Sequence, residues 1–213
     1  FSLRRKDLNI LKIIFIALIS IVFVSSANAT LKGDKVTLKG NMQVNFNQLP
    51  APVDSIDKAF LDGIFYGRIR TNTFYWDWDT EVDGKQKDNR NMGIGASLIY
   101  KTAPLNGISG NIGLYTSQNP FFRMDKEDVG FSKSGKDTFS RNAIKNGGDF
   151  SGSYGMSVLG QGYLQYDLSK TTFKLGRQML ETVFTKSNDT KMIPNTFDGV
   201  TATIKDIDKT TIK

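Results

Sequence analysis

The sequence predicts an all-β chain: a transmembrane antiparallel up-and-down β-barrel preceded by a signal-peptide helix. Three observations lead there. From residue 62 onward, successive runs alternate with a period of two between an apolar and a polar face. The connections between these runs are long and short by turns. Aromatic side chains bracket the apolar face.

The first segment, "FSLRRKDLNILKIIFIALISIVFVSSANAT", has a basic front end at Arg4, Arg5 and Lys6. An apolar run from Ile13 to Val24 follows, interrupted by Ser20, and Ala27-Asn28-Ala29 is an A-x-A pattern. That is the layout of a secretory leader ending at residue 29. The apolar run falls short of the ~20 residues a spanning helix needs. Cleavage would remove Arg4, Arg5, Lys6 and Lys12 against Asp7, lowering the net charge from +7 to +4. That excess is too mild to demand nucleic acid.

Residues 30–61 read as a periplasmic N-terminal segment. They carry alternating hints at Val36-Thr37-Leu38 and Gln43-Val44-Asn45-Phe46, then Pro50 and Pro52. "VDSIDKAFLDG" reads as one helical turn, with Asp54 or Ser55 as its cap. The barrel part, 62–213, opens on "DGIFYGRIRTNTFYWDWD". Here Phe65, Gly67, Ile69, Thr71, Thr73 and Tyr75 share one face, and Arg68, Arg70 and Asn72 the other.

The second run, 92–101, sets Met92, Ile94, Ala96, Leu98 and Tyr100 against Gly93, Gly95, Ser97 and Lys101. The third, 108–117, sets Ile108, Ile112 and Leu114 against Ser109, Asn111 and Ser117. The fourth, 154–168, sets Tyr154, Met156, Val158, Leu164 and Tyr166 against Ser157, Gln161, Gln165 and Asp167. Shorter fifth and sixth runs carry Phe173 and Leu175, then Val200, Ala202 and Ile204, and a seventh begins at Thr210.

The connections measure roughly fourteen, six, thirty-six, three, twenty and four residues, an alternation too large for the few-residue error of sequence boundaries to erase. One end of an up-and-down sheet would then carry every long loop, as in outer-membrane barrels. Phe65 and Tyr75 lie ten residues apart on one face, and Tyr154 and Tyr166 twelve. Ten residues at ~3.3 Å, tilted ~40°, rise about 25 Å, the height of a lipid-facing band between aromatic girdles.

Composition removes whole classes of chemistry. There is no cysteine and no histidine. Cys/His zinc sites, thiol nucleophiles and Ser-His-Asp triads are excluded from these residues, and so is lipase chemistry of the barrel type. No cofactor and no enzymatic activity are expected. An Asp-based protease elsewhere in a longer chain stays open, as do an adhesin or surface-recognition barrel and a secreted soluble β-sandwich binding module. A closed barrel would also account for a secreted chain without disulfides, because its backbone pairs within itself. The acid-rich stretches "DWDTEVDGKQKDNRN" (77–91) and "RMDKEDVGFSKSGKD" (123–137) lack the residue order of an EF-hand and read as solvated loops. The chain begins at Phe1 and stops inside a strand, so a piece of a longer chain is expected.

Three stretches carry a resemblance: "AFLDGIFYGRIRTNTFYWDWD" (59–79), "LGRQML" (175–180) and "KMIPNTFDGV" (191–200). They resemble the OprD family of outer-membrane porins. The matching positions are Arg70, Asn72 and Phe74, then Gly176, Arg177 and Gln178, then Asp189, Lys191, Met192, Pro194, Phe197 and Gly199. Lys191 stands where many members carry Arg, keeping the charge but not the planar fork.

The resemblance covers about residues 55–205 and implies an eighteen-stranded barrel of which this chain is the first third. It implies diffusion of small hydrophilic solutes such as amino acids, peptides or other carboxylates. The expected partners are outer-membrane lipid and lipopolysaccharide, the barrel-assembly machinery and those solutes. Such porins occur as trimers or monomers, so a homotrimer is one expected state.

Arg68, Arg70, Lys101, Lys174 and Lys205 fall on the polar face, a basic track that would concentrate anions. Ordinary lumen polarity, balanced by acids from other strands, is the competing account. Arg177 joins the track only if a bulge re-aims it, because it shares a face with Phe173 and Leu175; otherwise it sits at the rim. In porins the third long loop folds inward and narrows the pore. Here that loop is 179–198, and Glu181, Lys186, Asp189 and Lys191 are its candidate constriction residues. In the alternative reading Asn188, Asp189, Pro194 and Asn195 only shape turns, while Met179, Met192 and Phe197 anchor the loop.

Overall fold

The structure is a computed structural model that describes residues 36–82, 86–125, 128 and 154–212. The expected leader, 1–29, and most of 123–137 lie outside the described residues. Among the described residues the regular structure is eight strands and one short helix: β1 (Val36–Leu38), β2 (Val44–Phe46), α1 (Ile56–Leu61), β3 (Ile64–Trp76), β4 (Asn89–Lys101), β5 (Ile108–Gln118), β6 (Gly155–Leu168), β7 (Thr171–Gln178) and β8 (Phe197–Thr203). Strands β3 to β8 form one six-stranded antiparallel sheet whose order in space is their order in the chain. β1 and β2 form a separate two-stranded hairpin.

Connections 77–88, 119–154 and 179–196 leave one end of the sheet, and the short 102–107 and 169–170 leave the other. The alternation of long and short thus holds. At the short-turn end, α1 follows Ser55 as N-cap, although the Ser55 side chain makes no capping hydrogen bond. The helix is pinned through Ala103 N–H to the Ala59 carbonyl (2.8 Å) and Tyr100 Oη to the Phe60 carbonyl (2.5 Å). The seventh run is present as a single antiparallel bridge between Ile204 and Ile212.

The two faces of the sheet have opposite surroundings. One is open. It carries Phe65, Ile69, Tyr75, Ile112, Leu164, Leu175 and Val200, all well exposed. The other is covered. Its buried side chains are mostly polar: Asn89, Asn91, Ser97, Lys101, Ser109, Asn111, Ser117, Gln161, Gln165 and Gln178. A soluble two-sided sheet would place apolar residues under cover and polar ones outside; this sheet does the reverse.

Strand β6 departs from the sequence expectation. Leu114 pairs with Leu159 while Gly113 pairs with Gln161, so Gly160 is an extra, unpaired residue. A bulge of one residue exchanges the faces of everything before it. Met156 and Val158 therefore lie on the covered face, and Ser157 and Leu159 on the open one, the reverse of the single alternation expected over 154–168. Tyr154 goes with them. Its hydroxyl donates to the Met124 carbonyl (2.8 Å) and the Arg123 guanidinium lies 3.9 Å from its ring centre. Tyr154 and Tyr166 do not bracket one face, whereas Phe65 and Tyr75 do, at 64% and 62% exposure.

Gly176 in β7 shows how tightly the central strands are set. Its φ is +124°, and a Cβ there would overlap the Gly162 carbonyl oxygen. Gly176→Ala is expected to cost more than about 1 kcal/mol, visible as a lower urea midpoint than that of the parent chain.

Candidate functional site

The covered face of the sheet holds the cluster of polar groups from which a functional site can be built. Two segments lie over it. The first is the β1–β2 hairpin, whose Met42 and Val44 are buried with Ile99 of β4 and Tyr115 of β5, flanked by Val36, Phe46, Tyr66 and Val158. The second is the connection 179–196, with Met192 fully buried and Ile193 packed on the same cluster. Both meet Gly95 of β4. A Cβ there would come 2.6 Å from Met192 Cε and 3.1 Å from Met42 Cε.

Arginines from β3 hold both segments. Arg70 places Nη1 2.8 Å from Asp189 Oδ1 and donates from Nη2 to the Asp189 carbonyl (2.9 Å) and from Nη1 to the Lys191 carbonyl (3.5 Å). Arg68 donates to the Lys39 carbonyl (2.7 Å). Asp189 Oδ1 also accepts the Asn41 backbone N–H (3.0 Å), so one carboxylate joins strand, loop and hairpin. The flat guanidinium suits this task, because it offers several donors in a fixed fork.

Between the two segments lies a cleft of about 680 Å³. Lys39, Asn41 and Gln43 line one wall, and Glu181, Lys186 and Asp189 the other. Three of the four candidate constriction residues thus face one space. Lys191 reaches the site through its carbonyl, which Arg70 engages. Met192 anchors the loop as expected. Asn188 also makes a local turn, its side chain accepting Thr190 N–H (2.9 Å).

Lys101 and Lys174 form a second cationic spot toward the short-turn end. Both ammonium groups stand over the Tyr163 ring, at 6.0 Å and 4.9 Å from its centre. Lys101 Nζ donates to Gln165 Oε1 (3.0 Å), and Gln165 Nε2 donates to Asp167 Oδ2 (2.7 Å). The charge buried at Lys101 is thus hydrogen-bonded and partly balanced.

The basic track therefore resolves into two clusters, with two corrections. Arg177 lies on the open face, one residue from the end of β7, and no bulge re-aims it. Its Nε and Nη2 grip both oxygens of Asp198, its neighbour on β8, at 2.8 Å and 2.7 Å. Lys205 follows the end of β8 at Thr203 and is exposed.

The hairpin's contribution was absent from the sequence reading, which placed 30–61 apart from the barrel. The usable signal was the apolar set Val36, Met42, Val44 and Phe46, alternating with polar residues around the Lys39–Gly40 turn. Among the described residues, no group of three acids could hold a metal ion.

Removing the Arg70 fork leaves the loop with its apolar anchors alone. Asp189 is largely exposed, so the ion pair itself contributes only ~0–1 kcal/mol; the donated hydrogen bonds add to it. Arg70→Ala is expected to cost about 1–2 kcal/mol and to raise opening of 179–196 about 5–30-fold. Faster limited proteolysis within the loop measures this, and Arg70→Lys should recover only part of the protection.

In the connection 77–88, a hydrogen bond with Asp88 and its charge hold the Asp77 carboxyl above the usual carboxylate range, helped by Asp79 and Glu81. A raised folded value contributes stability below the unfolded value and loses it as pH rises through the folded one. Asp77→Asn is expected to raise the thermal midpoint near pH 7 and to leave it unchanged near pH 3, as melts at the two pH values would record. Compared with family models, characterised proteins and solved structures, the chain matches none.

Proposed function

We propose that this chain is the first third of an outer-membrane porin of the OprD type. It would pass small hydrophilic solutes, with carboxylates favoured, by diffusion through a basic lumen. The observation that carries the reading is the inverted sheet. An apolar face left open and a polar face under cover fit lipid outside and water inside.

Other features agree with it. All long connections leave one end and all tight turns the other. The open face carries Phe65, Tyr100, Tyr166 and Phe173 near the short-turn end, with Phe65 and Tyr100 rings 4.4 Å apart, as an interfacial girdle would. The connection 179–196, the third long one, lies over the polar face as a pore-narrowing loop would. In the proposed eighteen-stranded barrel β3 pairs with the last strand and β8 with the next.

Solute preference would follow from Arg68, Arg70, Lys101 and Lys174 on the lumen wall. Cations on a low-dielectric wall raise the local anion concentration. Reconstitution of the full-length protein into planar bilayers is expected to give stepwise ion conductance with anion preference in a salt gradient. Lys174→Glu should move the reversal potential toward cations without loosening the loop, since Arg70 and Asp189 are untouched. A folded barrel that carries no current would sink the porin reading and favour an adhesin. A channel whose selectivity ignores Lys174→Glu would remove the basic track alone.

A further inference from the structure

We infer that the β1–β2 hairpin, 36–46, is a pore element: one jaw of a two-part filter whose other jaw is the connection 179–196. The inference rests on the porin reading and extends it to a segment that lies outside the barrel strands.

The hairpin is built into the covered face. Met42 is fully buried, and its methyl shares the Gly95 contact with that of Met192, so the two jaws converge on one backbone position of the wall. Gly40 at the turn has no space for a side chain, because a Cβ would come 2.5 Å from Asp189 Oδ1. Asn41 and Met42 both take left-handed backbone, at φ 54° and 55°. For a methionine that conformation is uncommon and must be compensated by its surroundings. Burial of Met42 and the hydrogen bond from Asn41 N–H to Asp189 supply the compensation. Arg68 clamps the Lys39 carbonyl from the strand side.

The consequence is chemical. Lys39, exposed at the hairpin turn, shares the cleft with Lys186, Glu181 and Asp189. Asp189 is already paired with Arg70, so the cleft is weighted toward cations. Lys39 thus joins the selectivity-determining residues, although it belongs to no barrel strand.

This chain has no cysteine, so a thiol-dependent change that the unsubstituted full-length protein does not give belongs to the introduced cysteine. Lys39→Cys in the full-length protein, modified in a planar bilayer with a negatively charged sulfonatoethyl thiosulfonate, is expected to roughly halve the single-channel current and shift selectivity toward cations. Asp57→Cys on α1, modified in the same way, should leave the current unchanged. Modification of Lys39→Cys that is complete by mass yet leaves current and selectivity intact would overturn the hairpin assignment while sparing the channel. Unmodified protein that forms no channel would overturn the porin reading and this inference together.

A second measurement is independent of current. A Cβ at position 40 would stand 2.9 Å from the Asp189 Cβ, about 0.6 Å inside the ~3.5–4.5 Å that a disulfide spans between Cβ atoms; replacing Asp189 removes the carboxylate that crowds position 40, and a small outward shift of the loop brings the two thiols into range. Gly40→Cys with Asp189→Cys is expected to cross-link on mild oxidation of the folded protein. Absence of that bridge in peptide maps would overturn the contact between the jaws.

Discussion

The period-two division of β3 to β8 is the constraint on which the rest of the structure depends. Side chains alternate across a pleated strand, so a single register decides at once what is exposed and what is covered. Here the covered side collects amides, hydroxyls and cations. Burying such groups is costly unless they are hydrogen-bonded, and several of them are. Asn111 Nδ2 donates to Gln161 Oε1 (2.9 Å), and Gln161 Nε2 to the Tyr115 hydroxyl (2.6 Å). Gln178 Oε1 accepts from Thr201 (2.7 Å). Gly160 matters because it resets the register within β6. It delivers Gln161 to that network and also brings Val158 to the apolar cluster under the hairpin. Without the extra residue, β6 could supply one or the other.

The two covering segments follow from the same division. The connection 179–196 leaves β7 and returns to β8, yet its Asp189 reaches Arg70 on β3. Those strands are four spacings apart, about 19 Å along a flat sheet. Spanning that distance over a polar surface requires fixed points. Met192 on Gly95 provides an apolar one and the Arg70 fork a charged one. The hairpin then fills the space beside the loop, contributing most of the apolar side chains that the covered face itself lacks.

Much of this was legible in the residues. Strict alternation in β3, β4 and β5 specified their faces because no residue in them is inserted or deleted. Connection lengths specified the meander because tight turns can join only adjacent antiparallel strands. The bulge was not legible. "SVLGQGYLQ" reads equally well with or without a skipped residue, and only pairing with Leu114 and Gly113 shows the skip. The hairpin was missed for a different reason. A three-residue strand carries too little pattern, and the buried partners Ile99 and Tyr115 lie more than fifty residues away in the chain. Arg177 was ambiguous because its partner Asp198 is brought to it by β7–β8 pairing, which the sequence states only as two short runs.

The strand pairing also carries a geometric test of the membrane reading that uses no side-chain chemistry. Phe65, Tyr100, Ile112, Gly162 and Arg177 are successive cross-strand partners, four spacings from β3 to β7. Phe173 lies four residues from Arg177 toward the short-turn end. For Phe65 and Phe173 to stand at one height, the tangent of the strand tilt must be the ratio of ~3.3 Å per residue to ~4.8 Å per strand, a tilt of about 35°. Tyr166, three spacings and four residues away, gives about 42° by the same arithmetic. Both fall in the ~35–45° range of outer-membrane barrels. The open-face aromatics would thus form a level girdle at the tilt such a barrel adopts.

In the proposed barrel that tilt would put Arg177 and Asp198 about 10 Å beyond the girdle, inside a band ~25 Å tall. On the open side of the described strands, Arg90 near the start of β4 is the other charged residue. A lone Arg at such a depth would cost about 2–4 kcal/mol. The two-pronged grip of Arg177 on Asp198 makes the pair neutral and leaves fewer donors to lipid. In the proposed barrel, pairing on adjacent strands is the condition under which these two charges can remain in the apolar band.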